Sequence, residues 1–224
     1  MHEFITGQSL EVRLRQAISI AWAVFSRKVG GGLVPVNKEA SMQLQYAYVL
    51  KQVLPLILHD AGEKADLELE TGVRTSSGTN NVDILVRGES ASGKVSIAIE
   101  MKCYRRTAAS GNGRGATDIF MKDVYEDLHV LEEYVREGIA TRGVALVMND
   151  HLYFVKPGRK DGKCWAYDIS DGMRFHGGRI QVQVGAKNKK PIDVHLRRTY
   201  AFDWMKFGDF WFLELEGSTC PLPA

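Results

Sequence analysis

The sequence predicts an α/β fold in which a mixed sheet is flanked by helices and followed by a strand-rich extension. Three observations support this class: helical spacing of apolar residues near the N-terminus, strand-like alternation after it, and a long helical segment that precedes a buried apolar run. The core is predicted over residues 38–158, in the order helix, three strands, helix, strand. An N-terminal helical segment with a Gly-rich joint (1–37) precedes it, and a basic, aromatic-rich extension (159–224) is predicted to pack on it.

Two helices are predicted before the sheet. Residues 9–28 carry apolar side chains at near-helical spacing, and three successive glycines after Val29 form a flexible joint. No Lys-Ser/Thr pair follows these glycines, so they do not predict a phosphate-binding loop. The second helix is predicted over residues 38–59, with Asn37 as its N-cap.

The periodicity then changes to that of strands. Residues 67–71 alternate between apolar and polar types, and residues 81–87 and 94–104 are predicted as two further strands joined by a polar, Gly-containing linker. A long helix follows over 117–137, with Gly138 as its stop. The apolar run 144–148 is predicted to be a buried strand.

The C-terminal part is predicted to be rich in strands. Residues 151–156 are predicted as another strand, and alternation at 180–184 and 194–196 indicates antiparallel strands. Residues 200–215 are dense in aromatic side chains. These favour a core or a subunit interface over a base-stacking platform, because no RNA-recognition motif accompanies them.

Composition excludes several classes of protein. Apolar residues make up 45% and charged residues 25% of the chain, which is enough apolar material for a core. The 29 basic and 27 acidic residues exclude a polycation. Three widely spaced cysteines exclude a disulfide framework and a zinc knuckle. With no signal peptide or membrane span evident, the sequence predicts a cytoplasmic protein with no membrane partner.

Asp83, Glu100 and Lys102 are the candidate catalytic residues. Because strand side chains alternate between faces, Glu100 and Lys102 share one face. Pairing Asp83 with Glu100 centres the connecting turn between Ala91 and Ser92, in the middle of the polar linker, and directly opposed residues share a face. The sequence therefore predicts two carboxylates and an ammonium side by side. An exposed ion-pair cluster is the alternative interpretation.

Two neighbouring carboxylates near a core need a partner, because isolated buried charges are costly. Their hard oxygen atoms suit Mg²⁺, for which Mn²⁺ is expected to substitute. A bound dication lowers the pKa of a water molecule and neutralises charge at phosphorus. Lys102 would orient the attacking water or stabilise the developing oxyanion, and the sequence leaves both roles open.

This pattern resembles the PD-(D/E)xK nuclease superfamily, which has the restriction-endonuclease-like fold. The resemblance is carried by Asp83, by the Glu100-Met101-Lys102 triplet and by the order of elements over residues 38–150. It implies that Asp83, Glu100 and the backbone carbonyl of Met101 bind the metal ion and that Lys102 is the catalytic lysine.

The resemblance also implies an accessory acid near the metal. Glu39, at the start of the helix before the sheet, is the candidate, and Glu70 competes for this role. Val82 departs from the family pattern because it stands where the family name has proline.

Basic residues next to the catalytic lysine and near the C-terminus are the candidate nucleic-acid contacts. They are Arg105, Arg106, Arg114, Lys122, Lys187, Lys189 and Lys190. Arg114 lies in a Gly-rich loop, where glycines let backbone amides approach phosphates. Such clusters attract phosphate backbones and give affinity without reading the base sequence.

The sequence thus predicts a Mg²⁺-dependent DNA endonuclease that hydrolyses phosphodiester bonds with metal-activated water. Double-stranded DNA is the expected partner, and the resemblance implies 5′-phosphate products. Cleavage of both strands would favour a homodimer. The alternative is a non-catalytic nucleic-acid-binding or assembly protein on the same fold, and a third hypothesis is an interaction module that works through the aromatic tail.

Overall fold

The computed structural model describes residues 8–107, 117–182 and 192–219. Four of the predicted nucleic-acid contacts, Arg114, Lys187, Lys189 and Lys190, lie outside these residues. The fold has two N-terminal helices, a mixed six-stranded sheet with a third helix packed on it, and small C-terminal strand hairpins. The predicted α/β class is therefore confirmed. No helix in the described part of the chain has the length and apolar character needed to cross a membrane.

Helix α1 (Leu10–Gly30) and helix α2 (Glu39–Val53) lie close to their predicted positions. The Ser9 hydroxyl accepts a hydrogen bond from the Val12 N–H at 3.4 Å and caps α1. The prediction of Asn37 as the cap of α2 is wrong: Lys38 is the N-cap, and the Ser41 hydroxyl accepts hydrogen bonds from the Asn37 and Lys38 N–H groups at 3.0 and 3.1 Å.

Helix α2 is also shorter than predicted. A 3₁₀-helix (Leu54–Ile57) replaces the last predicted turns, with proline in its first turn. Proline lacks the N–H that a continuing α-helix would need and clashes with the preceding turn. A turn over residues 58–63 then leads into the sheet.

The central sheet contains β1 (Lys64–Thr75), β2 (Gly78–Ser90), β3 (Gly93–Tyr104) and β4 (Arg142–Asn149). Strands β1 to β3 are antiparallel, and β4 is parallel to β3. Helix α3 (Thr117–Arg136) lies between β3 and β4 in the chain, because parallel strands need a long crossover connection. The sequence pattern therefore placed all four strands and this helix correctly.

The C-terminal segment extends the same sheet. Strands β5 (Met173–Phe175) and β8 (Tyr200–Phe202) form one small sheet, and β6 (Gly178–Val182) and β7 (Ile192–Leu196) form another. Strand β9 (Met205–Phe207) and strand β10 (Phe210–Leu215) join the central sheet next to β4 and complete the order β1-β2-β3-β4-β10-β9.

The predicted strand at 151–156 is instead a short helix, α4 (Leu152–Val155). The His151 ring nitrogen accepts a hydrogen bond from the Tyr153 N–H at 3.4 Å and caps it. Phe154 and Val155 are both buried, although they are consecutive. An isolated strand would point two such neighbours to opposite faces, so the helix buries more apolar surface at this position.

Two apolar layers enclose the sheet. Helices α1 and α2 cover one face, where Trp22, Phe25 and Phe212 are fully buried. Helix α3 covers the other face, where Leu85, Ala98 and Val147 belong to the core. The catalytic candidates on β3 alternate with apolar residues of the first layer and therefore face α3.

Candidate active site

Strands β2 and β3 form a fork at the candidate site. Their pairing runs from Ser90 and Gly93 at the hairpin to Ile84 and Ile99, which is the register predicted from the polar linker. Beyond this pair, β2 continues to pair with β1, while β3 continues to pair with β4. The first two residues past the last pair are Asp83 and Glu100. The sheet therefore opens where the sequence places its two carboxylates.

Side chains satisfy the backbone groups that the fork exposes. The Asp83 carboxylate accepts a hydrogen bond from the Met101 N–H at 2.6 Å. The Glu39 carboxylate, at the start of α2, accepts one from the Cys103 N–H at 3.3 Å. On β2, the Gln43 side-chain amide donates a hydrogen bond to the Asp83 carbonyl at 2.7 Å. Unpaired backbone groups near a core are costly, so these contacts stabilise the open edge.

Lys102 lies between carboxylates from both helical layers. Its Nζ is 3.6 Å from Glu39 Oε1 and 3.4 Å from Asp127 Oδ2 on α3. Its side chain is 21% exposed, which leaves a path to solvent. Burial opposes the protonated form, but Asp127, Glu39 and Asp83 outweigh it and raise the pKa of Lys102. The lysine is therefore an ammonium at neutral pH, held at the mouth of the fork.

The carboxylate of Glu100 is buried and, among the described residues, has an oxygen that lacks a hydrogen bond. The residue is only 9% exposed, and its Oε1 is buried with no hydrogen-bond partner in the described part of the chain. The Tyr134 hydroxyl lies close to this carboxylate, but no hydrogen bond of normal geometry joins them. Burial, followed by repulsion from Asp83 and Asp127, raises the pKa of Glu100 well above its usual range.

The pKa values of Asp83 and Asp127 are shifted in the same direction. Burial raises the pKa of Asp83 to about 6, against the opposing hydrogen bond from Met101, and Glu39 raises it further. Burial also raises the pKa of Asp127, although the Lys102 ammonium acts against this. Fully ionised, the cluster would carry more negative charge than one ammonium can balance, and an additional cation would relieve it.

The donor set fits a hard divalent cation. Asp83 and Glu100 offer carboxylate oxygens, and the unpartnered Glu100 Oε1 is the buried acceptor that such an ion would satisfy. In a strand, the N–H and C=O of one residue point to the same edge, so the Met101 carbonyl is directed into the fork beside the Asp83 carboxylate. Among the described residues, no three His, Cys, Asp or Glu side chains group closely enough to hold an ion, so the candidate set consists of two carboxylates and a carbonyl.

The two candidate accessory acids occupy different places. Glu39 contacts Lys102 and the β3 backbone directly. Glu70 accepts a hydrogen bond from the Gln43 amide at 2.8 Å, and the same amide holds the Asp83 carbonyl. The backbone of Glu70 is left-handed (φ 51°), which interrupts the β1–β2 ladder opposite Asp83.

Asp127 and Gln43 are site residues that the sequence reasoning missed. Asp127 comes seven residues after Phe120 and four before Leu131, both of which are buried on α3. An acid on the apolar stripe of an amphipathic helix was therefore visible in the sequence. Gln43 is a buried amide on the apolar side of α2 and carried a similar signal.

Three of the predicted nucleic-acid contacts lie in the described residues, and they differ in exposure and in their ion pairs. The Arg105 guanidinium donates hydrogen bonds to Asp150 at 2.8 Å and to the Val36 carbonyl. These bonds connect the end of β3 to the segment before α2 and to the residue after β4. Lys122 forms ion pairs with acids of its own helix, 2.9 Å from Asp123 and 2.7 Å from Glu126. Arg106 is exposed at the end of β3. The binding roles of these three residues stay predictions.

Comparison with known proteins adds no further assignment. The sequence matches no protein-family model, and no curated protein is significantly similar to it. The fork and its side chains are therefore the features that point to a function.

Proposed function

We propose that this protein is a Mg²⁺-dependent endonuclease of the PD-(D/E)xK type that hydrolyses phosphodiester bonds in DNA. The observation that carries the proposal is the fork between β2 and β3, where Asp83, Glu100 and Lys102 lie together at an open sheet edge. Buried carboxylates with raised pKa values beside a fixed ammonium are typical of functional sites.

The order of elements around the fork supports the same proposal. Helix α2, strands β1 to β3, helix α3 and strand β4 follow one another as the resemblance implies. The catalytic candidates lie on the hairpin partner strands of this unit, and the candidate accessory acid lies at the first residue of the preceding helix.

Each residue has a distinct task in this proposal. Asp83, Glu100 and the Met101 carbonyl would hold the ion, with Glu39 beside them. A bound Mg²⁺ supplies a Lewis acid that lowers the pKa of water and neutralises phosphate charge. Lys102 is protonated, so it donates hydrogen bonds to the attacking water or to the developing oxyanion and does not act as the base.

Asp127 is a positioning residue for Lys102. Its carboxylate lies on the α3 side of the ammonium, while Glu39 lies on the α2 side. Two acids from different layers restrict where the flexible lysine stem can place its charge. A fixed ammonium is worth more in the transition state than a mobile one, because no reorganisation is needed when charge develops.

Plasmid cleavage tests the proposal directly. We expect supercoiled and linear DNA to be cut in the presence of Mg²⁺ or Mn²⁺, with 5′-phosphate ends, and to stay intact in EDTA. Binding of DNA with no cleavage under any divalent cation would instead support the non-catalytic alternative. Absence of both binding and cleavage would favour a protein-interaction module. A titration of DNA binding against salt concentration would show this as a lack of phosphate affinity at every salt concentration.

Asp127→Asn tests the positioning role. We expect kcat to fall about tenfold, as for removal of a group that acts through a catalytic residue, with KM changed less than about twofold. Asp127→Glu should restore part of the rate, because it returns a carboxylate to the ammonium. An Asp127→Asn protein that unfolds at the wild-type temperature and cleaves at the wild-type rate would contradict this role.

A further inference from the structure

A row of residues crosses four strands on the α3 face, next to the fork. Tyr104 on β3 pairs with Asn149 on β4, Asn149 pairs with Trp211 on β10, and Trp211 pairs with Lys206 on β9. Directly opposed residues share a face of the sheet. Lys102 lies two residues before Tyr104 on the same face. The end of β3 that carries the catalytic lysine therefore continues sideways into β10 and β9.

Trp211 holds two lysines at this end of the sheet. Lys206 Nζ is 5.4 Å and Lys156 Nζ is 6.0 Å from the centre of the Trp211 ring. Both distances are within the range of cation–π attraction, which fixes the position of each ammonium. We call Lys156, Trp211 and Lys206 the tryptophan platform.

The ammonium groups of the platform are not neutralised by the described part of the chain. Neither Lys156 nor Lys206 forms an ion pair there, and both side chains are exposed. A second lysine–tryptophan contact provides the contrast: Lys160 Nζ lies 5.6 Å from the Trp165 ring but is also 2.7 Å from Asp168. Two ammoniums near one ring repel each other, so an anion that reaches both would bind favourably.

The spacing from the fork matches a strand of nucleic acid. Trp211 lies two strands away from Lys102, which is about 10 Å, and about 7 Å further along the strand direction. Measured along the axis of a duplex, the combined separation of about 12 Å corresponds to three or four base pairs, since each strand advances about 3.4 Å along that axis per phosphate.

We propose that the tryptophan platform binds the phosphate backbone of a duplex substrate, three or four base pairs along the duplex axis from the bond that is cut. This inference rests on the proposed function, because it uses the fork as the place of cleavage. The ring is occupied by ammonium groups, so the platform contacts phosphates and does not stack on bases. It therefore adds affinity that is independent of base sequence.

The experiment compares two double variants that remove the same charge. Lys156→Gln/Lys206→Gln removes the two ammoniums of the platform. Lys64→Gln/Lys94→Gln removes two exposed lysines near the opposite end of the sheet, where β1 and β3 begin. The dissociation constant of a labelled DNA duplex is measured by fluorescence anisotropy in EDTA, at salt concentrations from 50 to 200 mM. Thermal unfolding confirms that both variants are folded.

The expected result is a change in salt dependence. The logarithm of the association constant falls linearly with the logarithm of the salt concentration, and loss of two phosphate contacts makes this slope less steep by about 1.8. The advantage of the wild type over the platform variant therefore shrinks about 12-fold between 50 and 200 mM salt. The matched variant should keep the wild-type slope. Equal slopes for the two double variants would overturn the platform.

The design separates this inference from the proposed function. If the platform variant loses salt dependence but the wild type cuts no DNA with any dication, the platform stands and the nuclease proposal fails. If the wild type cuts DNA and the platform variant binds as the wild type does, the platform fails and the nuclease proposal stands. A wild-type protein that binds no DNA overturns both.

Discussion

Lys102→Ala will lower the rate of DNA cleavage at least about 10²–10³-fold, while the affinity for DNA stays within about threefold of the wild type. The ammonium is fixed between Glu39 and Asp127 at the mouth of the fork, and its raised pKa keeps it protonated. In the proposed mechanism, this ammonium acts on charge that develops in the transition state. A single ammonium contributes little to the total phosphate contact of a bound duplex.

Single-turnover cleavage and anisotropy in EDTA measure these two quantities on the same protein. Lys64→Ala is the control, because Lys64 is exposed at the far end of the sheet. Removing Lys102 also leaves several acids without their ammonium, so thermal unfolding is followed for each variant. Lys102→Arg keeps the charge and should fold as the wild type does. Equal cleavage by the wild type and a folded Lys102→Ala protein would refute the proposed mechanism.

The register of the β2–β3 hairpin was predictable because its determinants are local, whereas the opening of the sheet beyond Ile84 and Ile99 was not predicted. Strand alternation and a short polar linker fix the register of a hairpin, so the pairing of Ile84 with Ile99 follows from the sequence. The same alternation places Glu100 and Lys102 on one face. Because the hairpin is local, the sequence predicts that three catalytic candidates lie together without information on long-range contacts.

The remaining features depend on contacts between distant parts of the chain. Strand β10 lies beside β4, more than 60 residues away in sequence, and no local pattern specifies that neighbour. The contact of Asp127 with Lys102 depends on how α3 crosses the sheet. Helix α4 forms where a strand was predicted because Phe154 and Val155 both reach buried positions. Tertiary packing decided each of these outcomes over local propensity.

The fork also shows a conflict between folding and chemistry. Continued pairing of β2 with β3 would satisfy the backbone groups of both strands without help from side chains. Instead, Asp83, Glu39 and Gln43 supply those contacts, and Glu70 adopts a left-handed backbone beside them. Departures of this kind from local rules are concentrated at functional sites.

The metal-free protein should lose stability as the pH rises. The pKa of Asp83 is about 6 in the folded state, against 3.8 for the unperturbed group, and burial raises the pKa of Glu100 well above its usual range. Above the unfolded pKa, the folded protein thus binds more protons than the unfolded chain. The free energy of unfolding therefore falls as the pH increases from about 4 through about 6 and beyond.

Glu100→Gln removes one of these buried charges and should separate stability from activity. In EDTA at pH 8, we expect the variant to melt a few degrees above the wild type, because 1 kcal/mol shifts Tm by about 2–4 °C in a protein of this size. The difference should shrink towards pH 4, where the wild-type acid is protonated. Cleavage should fall to background, since the amide cannot replace a carboxylate as a ligand for a hard cation.

The effect of added Mg²⁺ on Tm, compared between the wild type and Glu100→Gln, tests whether Glu100 binds the ion. An ion that binds only the folded protein raises Tm with increasing concentration, so the wild type should gain stability and Glu100→Gln should not. Asp66→Asn is the matched control, because Asp66 is an exposed acid paired with Lys51, away from the fork. If Mg²⁺ raises Tm equally in the wild type and in Glu100→Gln, the ion binds elsewhere. In that case, the buried Oε1 of Glu100 is not a ligand of a metal ion.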